Sequence, residues 1–168
     1  MLTIRPYENS DSLLEITELL HLAYKPLADV GLNFVASHQD EKITKSRIDK
    51  GNCLIAELDG VIVGTITYYP AANTKGTEFM DRVDVASFGQ FAVRPDLQGS
   101  GLGSRLLDEA ESMARAEDVT ELCLNTAEPA TELREYYTRR GYRLVGYVQW
   151  PELFYRSVVL SKLLKEAT

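Results

Sequence analysis

Phe91-Ala92-Val93-Arg94-Pro95-Asp96-Leu97-Gln98-Gly99-Ser100-Gly101-Leu102-Gly103-Ser104 is the stretch on which the fold turns. An apolar run ends at Pro95, which has no N–H to give to a sheet ladder and so closes a strand. Three glycines follow, and then Leu102, Leu106, Ala110 and Met113, with Leu107 beside them, draw one apolar stripe at helical spacing over Gly101 to Ala116. A strand therefore runs into an amphipathic helix through a glycine-rich join. In such a join the backbone can approach an anion closely, and the helix's first turn offers unpaired N–H groups with the positive end of its dipole. A pyrophosphate fits that description, as does the bland alternative of a tight capped turn.

Outward from this join the remaining elements follow from periodicity and turn signals. Met1 to Pro6 reads as a strand and Ser10 to Ala23 as a helix, since Leu13, Ile16, Leu20 and Ala23 recur behind a Ser/Asp cap signal. A polar stretch with Gly31 and His38 leads to a second helix around Gln39 to Lys50. CLIAEL and VIVGTITYY flank Asp59-Gly60, a dipeptide that supports the positive φ of a tight hairpin turn. After a loop through Ala71 to Asp81 comes a strand over Val83 to Val93. Beyond the central helix, Thr120 to Leu124 is a buried strand, Ala130 to Arg140 a helix closed by Gly141, and Tyr142 to Trp150 and Leu153 to Leu160 two last strands. About seven strands and about four helices, with hairpins and one strand-helix-strand unit, predict an α/β (α+β) fold. Its core is a mixed, mostly antiparallel central sheet flanked by helices, and not a doubly wound sheet. A single domain over residues 1–168 is expected.

Spacing separates the phosphate-binding readings. A Walker loop needs GxxxxGK[ST], and this loop holds no lysine. A dinucleotide fingerprint needs GxGxxG, but counting from Gly99 its third position falls on Ser104, with Gly103 one residue early. What remains, Gln98-x-x-Gly101-x-Gly103, resembles the R/Q-x-x-G-x-G/A motif of the GNAT superfamily of N-acetyltransferases. The apolar-x-Val-x-Pro run of Phe91 to Pro95, the Tyr137, Gly141 and Tyr142 signature and the order of elements are similar to that family as well.

The resemblance implies transfer of an acetyl group from acetyl-coenzyme A, as co-substrate and without a metal, to a primary amine of a small molecule or peptide by direct attack in a ternary complex. It implies that Gln98, Gly99, Ser100, Gly101, Leu102, Gly103 and Ser104 hold the pyrophosphate. The backbone of Phe91, Ala92 and Val93 would pair with the pantetheine arm, an N–H near Val93 polarising the acetyl carbonyl. Tyr137 stands where the family keeps a tyrosine that protonates the leaving thiolate, a phenol of pKa about 10 being a suitable donor to a thiolate formed at about 8.5. The alternative for Tyr137 is an aromatic core residue, a part that adjacent Tyr136 also suits.

Two departures from the family stand out. Many relatives carry a glutamate early in the strand before the loop, where this chain has Asp84-Val85-Ala86-Ser87-Phe88-Gly89-Gln90. Asp84 as base, a water held by Ser87 or Gln90, and an amine arriving neutral are the options; the water route is preferred, with Asp84 a solvated charge. Where relatives have an asparagine at the start of the last helix, this chain has Ala130, and Asn125, expected to end the preceding strand, is the candidate replacement. Arg94, Arg105, Arg134 and Arg139 are candidates for the coenzyme phosphates or plain surface charges. Tyr24, His38, Tyr68, Tyr69 and Trp150 are candidates to line the acceptor site or to pack as core. The rival of another class is a noncatalytic acyl-coenzyme A sensor or interaction module.

Composition bounds these readings. The 168 residues carry 25 acidic against 18 basic side chains, a formal net charge of −7, which disfavours nucleic acid and anionic lipid as partners. No run approaches the ~20 apolar residues of a membrane span and no export signal is visible, so a cytoplasmic location is expected. Nothing in the sequence fixes oligomeric state, and a homodimer is compatible with it. Cys53 and Cys123 lie inside expected strands without CxxC or Cys/His spacing, the pattern of buried thiols and not of a metal site.

Overall fold

In the computed structural model, which describes residues 1–165, the elements follow in the order β1 (Leu2–Pro6), α1 (Leu13–Asp29), α2 (Glu41–Asp49), β2 (Asn52–Leu58), β3 (Val61–Tyr69), β4 (Val85–Val93), α3 (Leu102–Ala116), β5 (Glu121–Ala127), α4 (Thr131–Arg139), β6 (Arg143–Val148) and β7 (Ser157–Leu163). The strands form a seven-stranded sheet in the order β1-β2-β3-β4-β5-β7-β6. β1 with β2, β2 with β3, β5 with β7 and β6 with β7 pair antiparallel, and β4 with β5 pairs parallel over Val85–Ser87. The mixed, mostly antiparallel sheet with four helices is thus the architecture expected from the sequence. The Asp59-Gly60 turn is present too, with Leu58 opposite Val61 and φ of +50° and +85° at its two central residues.

The chain gathers into two compact units, one of residues Met1–Tyr68 with Gly89–Ala110, the other of Tyr69–Phe88 with the chain from Glu111 onward. In the first, Ile16, Leu19 and Leu20 on one face of α1 pack with Ile55, Ile62 and Ala92 of the sheet. Leu106, Leu107 and Ala110 bury the expected stripe of α3. Each fully buried leucine or isoleucine contributes about 1.5–3 kcal/mol by leaving water. In the second unit, Met80, Val85, Cys123 and Val159 form the corresponding cluster.

Several boundaries differ from those expected. Helix α1 does not stop at Ala23 but continues through Pro26 to Asp29, capped at its start by Ser12, whose Oγ accepts the Glu15 N–H at 3.1 Å. Pro26 lies within its last turn and, having no N–H, gives up the bond to the Leu22 carbonyl. Strand β5 does not end at Leu124: Asn125, Thr126 and Ala127 continue it, opposite Val159, Val158 and Ser157. The last strand begins at Ser157 instead of Leu153. The Gln149 side-chain amide donates to the carbonyls of Trp150, Leu153 and Tyr155 at 3.0–3.2 Å, which winds that apolar segment into a turn.

Candidate active site

Strand β4 carries a local irregularity at Gln90, whose φ is +46°. That region costs an L-residue other than glycine roughly 1–2 kcal/mol, so it persists only where the surroundings hold it. They do so through the side chain: the Gln39 amide donates to Gln90 Oε1 at 2.6 Å and to Thr44 Oγ1 at 2.8 Å, and Gln39 Oε1 accepts from Arg47 at 2.8 Å. Gln39 and Gln90 are both buried. A residue in this conformation turns the strand locally, and it does so immediately before Phe91, Ala92 and Val93. The Phe91 carbonyl accepts from the Tyr24 hydroxyl at 2.9 Å, and the Arg94 N–H donates to Val63 O at 2.8 Å, tying the strand's end to β3. Burial pushes the Tyr24 phenol pKa up, while the nearby Arg47 charge opposes the rise.

The glycine join is built from backbone. Pro95–Leu97 makes a single 3-10 turn, beside which Arg94 and Asp96 form a bidentate ion pair at 2.6 and 3.1 Å that holds the Asp96 carboxyl below the usual range. The Gln98 side-chain amide donates to Val93 O at 3.1 Å, so this motif residue shapes the loop from inside. Gly99 and Gly101 have φ of +82° and +92°, and a Cβ added at either would meet nothing within 4 Å. Glycine is required there by conformation, and the protein leaves the space beside it open. The first helical hydrogen bond is Arg105 N–H to Gly101 O at 3.1 Å, so the amides of Leu102, Gly103 and Ser104 precede the ladder. Leu102 N–H has only a long contact, 3.4 Å, with Ser100 Oγ. Open glycine backbone followed by unladdered amides at the positive end of a fifteen-residue helix is a fit for a diphosphate.

In the second unit Tyr137 lies on α4, 7% exposed, its ring centroid 6.0 Å from Phe88, 5.8 Å from Tyr142 and 5.2 Å from Tyr136. Tyr142 donates to Glu111 at 2.9 Å, and the same buried carboxylate receives Lys162 at 2.8 Å and Arg140 at 3.2 Å. Burial first, then the Glu111 charge, raise the Tyr142 pKa. Asp84 is gripped by Arg82 Nε and Nη2 at 3.0 and 2.7 Å, which lowers its pKa and weakens it as a base. Ser87 bonds Thr74 at 2.8 Å. Asn125, within β5 and not at its end, is exposed and accepts the Trp150 indole N–H at 3.1 Å; that indole lies so close over Gly76 that an added Cβ would come within 2.3 Å of it. Ala130 is the N-cap of α4 and has no side-chain cap bond.

The other candidates scatter. Tyr68 is 1% exposed and belongs to the core, Tyr69 is half-buried, and His38 is exposed beside Ser37. Arg134 donates to Glu128 O, while Arg105 and Arg139 are exposed. Cys53 and Cys123 are buried thiols whose pKa burial pushes up, to about 12 for Cys123, which removes them as thiolate nucleophiles. Among the described residues no group of three or more His, Cys, Asp or Glu is placed to hold a metal ion, and no helix is long and apolar enough to cross a membrane.

Motif reasoning did not single out Arg47, Gln39 or Glu111. Glu111 did carry a signal: it falls on the apolar face of α3, four residues after Leu107 and three before Ala114, both wholly buried. A charge on a buried stripe announces partners elsewhere.

The model of the acetyltransferase (GNAT) family matches residues 14–142. The S-(2-succino)cysteine N-acetyltransferase of Bacillus subtilis (strain 168) is 32% identical over 131 residues, 76% of each chain. The S-alkylcysteine N-acetyltransferase of the same organism is 24% identical over 135 residues, 77% of this chain and 72% of the other. Among solved structures, a GNAT family acetyltransferase from Elizabethkingia anophelis with acetyl-CoA bound superposes with a TM-score of 0.71 at 17% identity, covering 96% of this chain and 97% of that one.

Proposed function

The chain belongs to the GNAT acetyltransferase family, and from that premise we propose that it transfers the acetyl group of acetyl-coenzyme A to the α-amine of a small amino acid with an S-substituted, cysteine-like side chain. Direct attack while both substrates are bound is the route we favour. The observation that carries the reading is the open backbone at Gly99 and Gly101 leading into the amides of Leu102, Gly103 and Ser104. The acceptor class rests on the two relatives named for S-substituted cysteines. We read both compact units as one acetyltransferase domain, since the family match runs through residues of each. Two buried free thiols are in keeping with a reducing, cytoplasmic setting.

Acetyl-CoA supplies an activated thioester. The amides of residues 99–104 hold its diphosphate, with Gln98 fixing the loop's shape through Val93 O. The backbone of Phe91 to Val93 pairs with the pantetheine arm, and the Val93 N–H polarises the acetyl carbonyl without having to reorganise. Tyr137 gives its phenolic proton to the departing thiolate. The amine's proton leaves to water: Asp84 is held ionised by Arg82, and the side chains of Ser87 and Gln90 are bonded within the protein.

Titration calorimetry with coenzyme A, followed by thiol release from acetyl-CoA in the presence of S-methylcysteine, tests this reading. Micromolar binding and acceptor-dependent release are expected. No affinity for coenzyme A removes the family function altogether, and binding without release for any amine leaves only a sensor.

A further inference from the structure

Arg47 is charged, half-buried and without a carboxylate. On α2 it stands three residues after Thr44 and one before Ile48, both buried, so its side chain leaves the helix at the edge of the packed face. The hydrogen bond it makes to the protein goes to a neutral group, Gln39 Oε1 at 2.8 Å. Of the other arginines in the same unit, Arg5 is neutralised by Asp11 at 2.7 Å and Glu57 at 2.8 Å and Arg94 by Asp96, while Arg105 is exposed and left to water. The chain has 25 acidic residues, so a partner was not lacking for want of carboxylates. Among the described residues none lies within ion-pair distance of Arg47. A guanidinium has five N–H donors in a planar fork shaped for a carboxylate, and one of them is used here. Withdrawing a cation from water without an anion is unfavourable, and a bound anion reverses that.

The position is as telling as the charge. Arg47 bonds Gln39, Gln39 bonds Gln90, and Gln90 precedes the Phe91–Val93 segment. Tyr24, whose hydroxyl sits on the Phe91 carbonyl, is also near enough to feel the Arg47 charge. Arg47 is therefore linked, through two side-chain hydrogen bonds and through Tyr24, to the part of β4 proposed to hold the acetyl group.

We propose that Arg47 is the residue that selects the acceptor, binding the α-carboxylate of an amino acid beside the Phe91–Val93 strand. This rests on the reading of the chain as an acetyltransferase. An α-amino acid carries amine and carboxylate on one carbon, so gripping the second presents the first to the strand, and simple amines lose that grip. In a chain of net charge −7, a local cation also offsets the general repulsion of an anionic acceptor.

The test uses the full chain, acetyl-CoA and two acceptors, S-methylcysteine and S-methylcysteamine, which differ by the carboxylate. With Arg47→Gln, KM for S-methylcysteine should rise roughly 10- to 100-fold, the range for a charged hydrogen bond, with kcat little changed. KM for S-methylcysteamine should not move, and Arg47→Lys should recover part of the loss. Coenzyme A affinity, measured by calorimetry, should be the same in all three proteins. Equal losses with both acceptors would show that Arg47 only props Gln39, and unchanged kinetics would show that the carboxylate binds elsewhere; either overturns the proposal. A wild-type protein that binds coenzyme A and acetylates S-methylcysteamine as well as S-methylcysteine overturns it while sparing the acetyltransferase reading, whereas one that does not bind coenzyme A overturns that reading.

Discussion

The loop from Gln98 to Ser104 and the aromatic cluster around Tyr137 are built by opposite means. In the loop the working groups are backbone amides, the positive φ angles fall on Gly99 and Gly101, and the space beside those residues is left open. In the cluster the working parts are rings and charges packed shut: Tyr137 against Phe88, Tyr136 and Tyr142, and Tyr142 against a buried Glu111 that answers Lys162 and Arg140 and, at 3.8 Å, Arg115. A backbone site makes demands on a few adjacent residues. A side-chain site makes them on residues far apart, here 111, 140, 142 and 162.

The two constructions should break differently. The largest effect is expected at Glu111, where alanine leaves Lys162 half-buried without its anion, takes one partner from Arg140 and leaves Tyr142 without its acceptor. Removing one member of a buried ion pair costs about 3–5 kcal/mol, and the loss should appear in urea unfolding of the variant. A Glu111→Ala protein as stable as the parent would mean that the cluster is not held as described.

Next in size is Tyr137→Phe. The ring packing survives, so stability and coenzyme A affinity should hold, while kcat for thiol release falls by about 100-fold or more, the usual contribution of a general acid. Normal turnover in this variant would reduce Tyr137 to a core residue and leave the loop as the one functional region of the pair.

This contrast explains what the sequence disclosed. Proline, three glycines and a helical stripe are local statements, so the loop, α3 and the Asp59-Gly60 hairpin were all legible. The extension of β5 through Asn125 and Thr126 was not, because those polar residues are kept in the strand by β7, some thirty residues later. The turn before β7 was hidden for a similar reason: Leu153, Phe154 and Tyr155 look like a strand, and one glutamine side chain diverts them. Gln90 gives no sign of its left-handed backbone, since neither glycine nor asparagine marks it and the bond that supports it comes from Gln39.

A smaller effect separates conformation from binding at the glycines. Gly101 has φ +92° and Gly141, at the end of α4, has φ +96°. Alanine at either should cost about 1–2 kcal/mol of folding stability, because an L-residue disfavours that region. Only Gly101→Ala should also weaken coenzyme A binding, by roughly tenfold, equivalent to about 1.4 kcal/mol, since its new methyl would occupy the open face of the loop. Equal coenzyme A affinity in the two variants, read by calorimetry, would detach the loop from the diphosphate.

The smallest effect concerns a charge cluster that belongs to neither region and so serves as their common control. Asp11 accepts both Arg5 Nη groups at 2.7 and 2.9 Å and also the Glu8 N–H at 2.8 Å, and the Arg5 bonds foremost hold its pKa below the ordinary value. A carboxyl whose folded pKa is depressed binds fewer protons folded than unfolded, so stability falls as pH falls. The Asp11 contribution is complete above the unfolded pKa of about 3.9 and is lost as the pH drops through the lower folded value. Between pH 5 and 3 the melting temperature of the wild type should therefore fall more steeply than that of Asp11→Asn, while turnover at neutral pH stays within about twofold, since a surface-proximal change away from the site rarely exceeds ~0.5 kcal/mol. Parallel acid limbs in the two proteins would mean that Arg5 does not distinguish the charged carboxyl from its amide, and the steepness would then have to come from other carboxylates such as Asp84, whose pKa its own arginine also depresses.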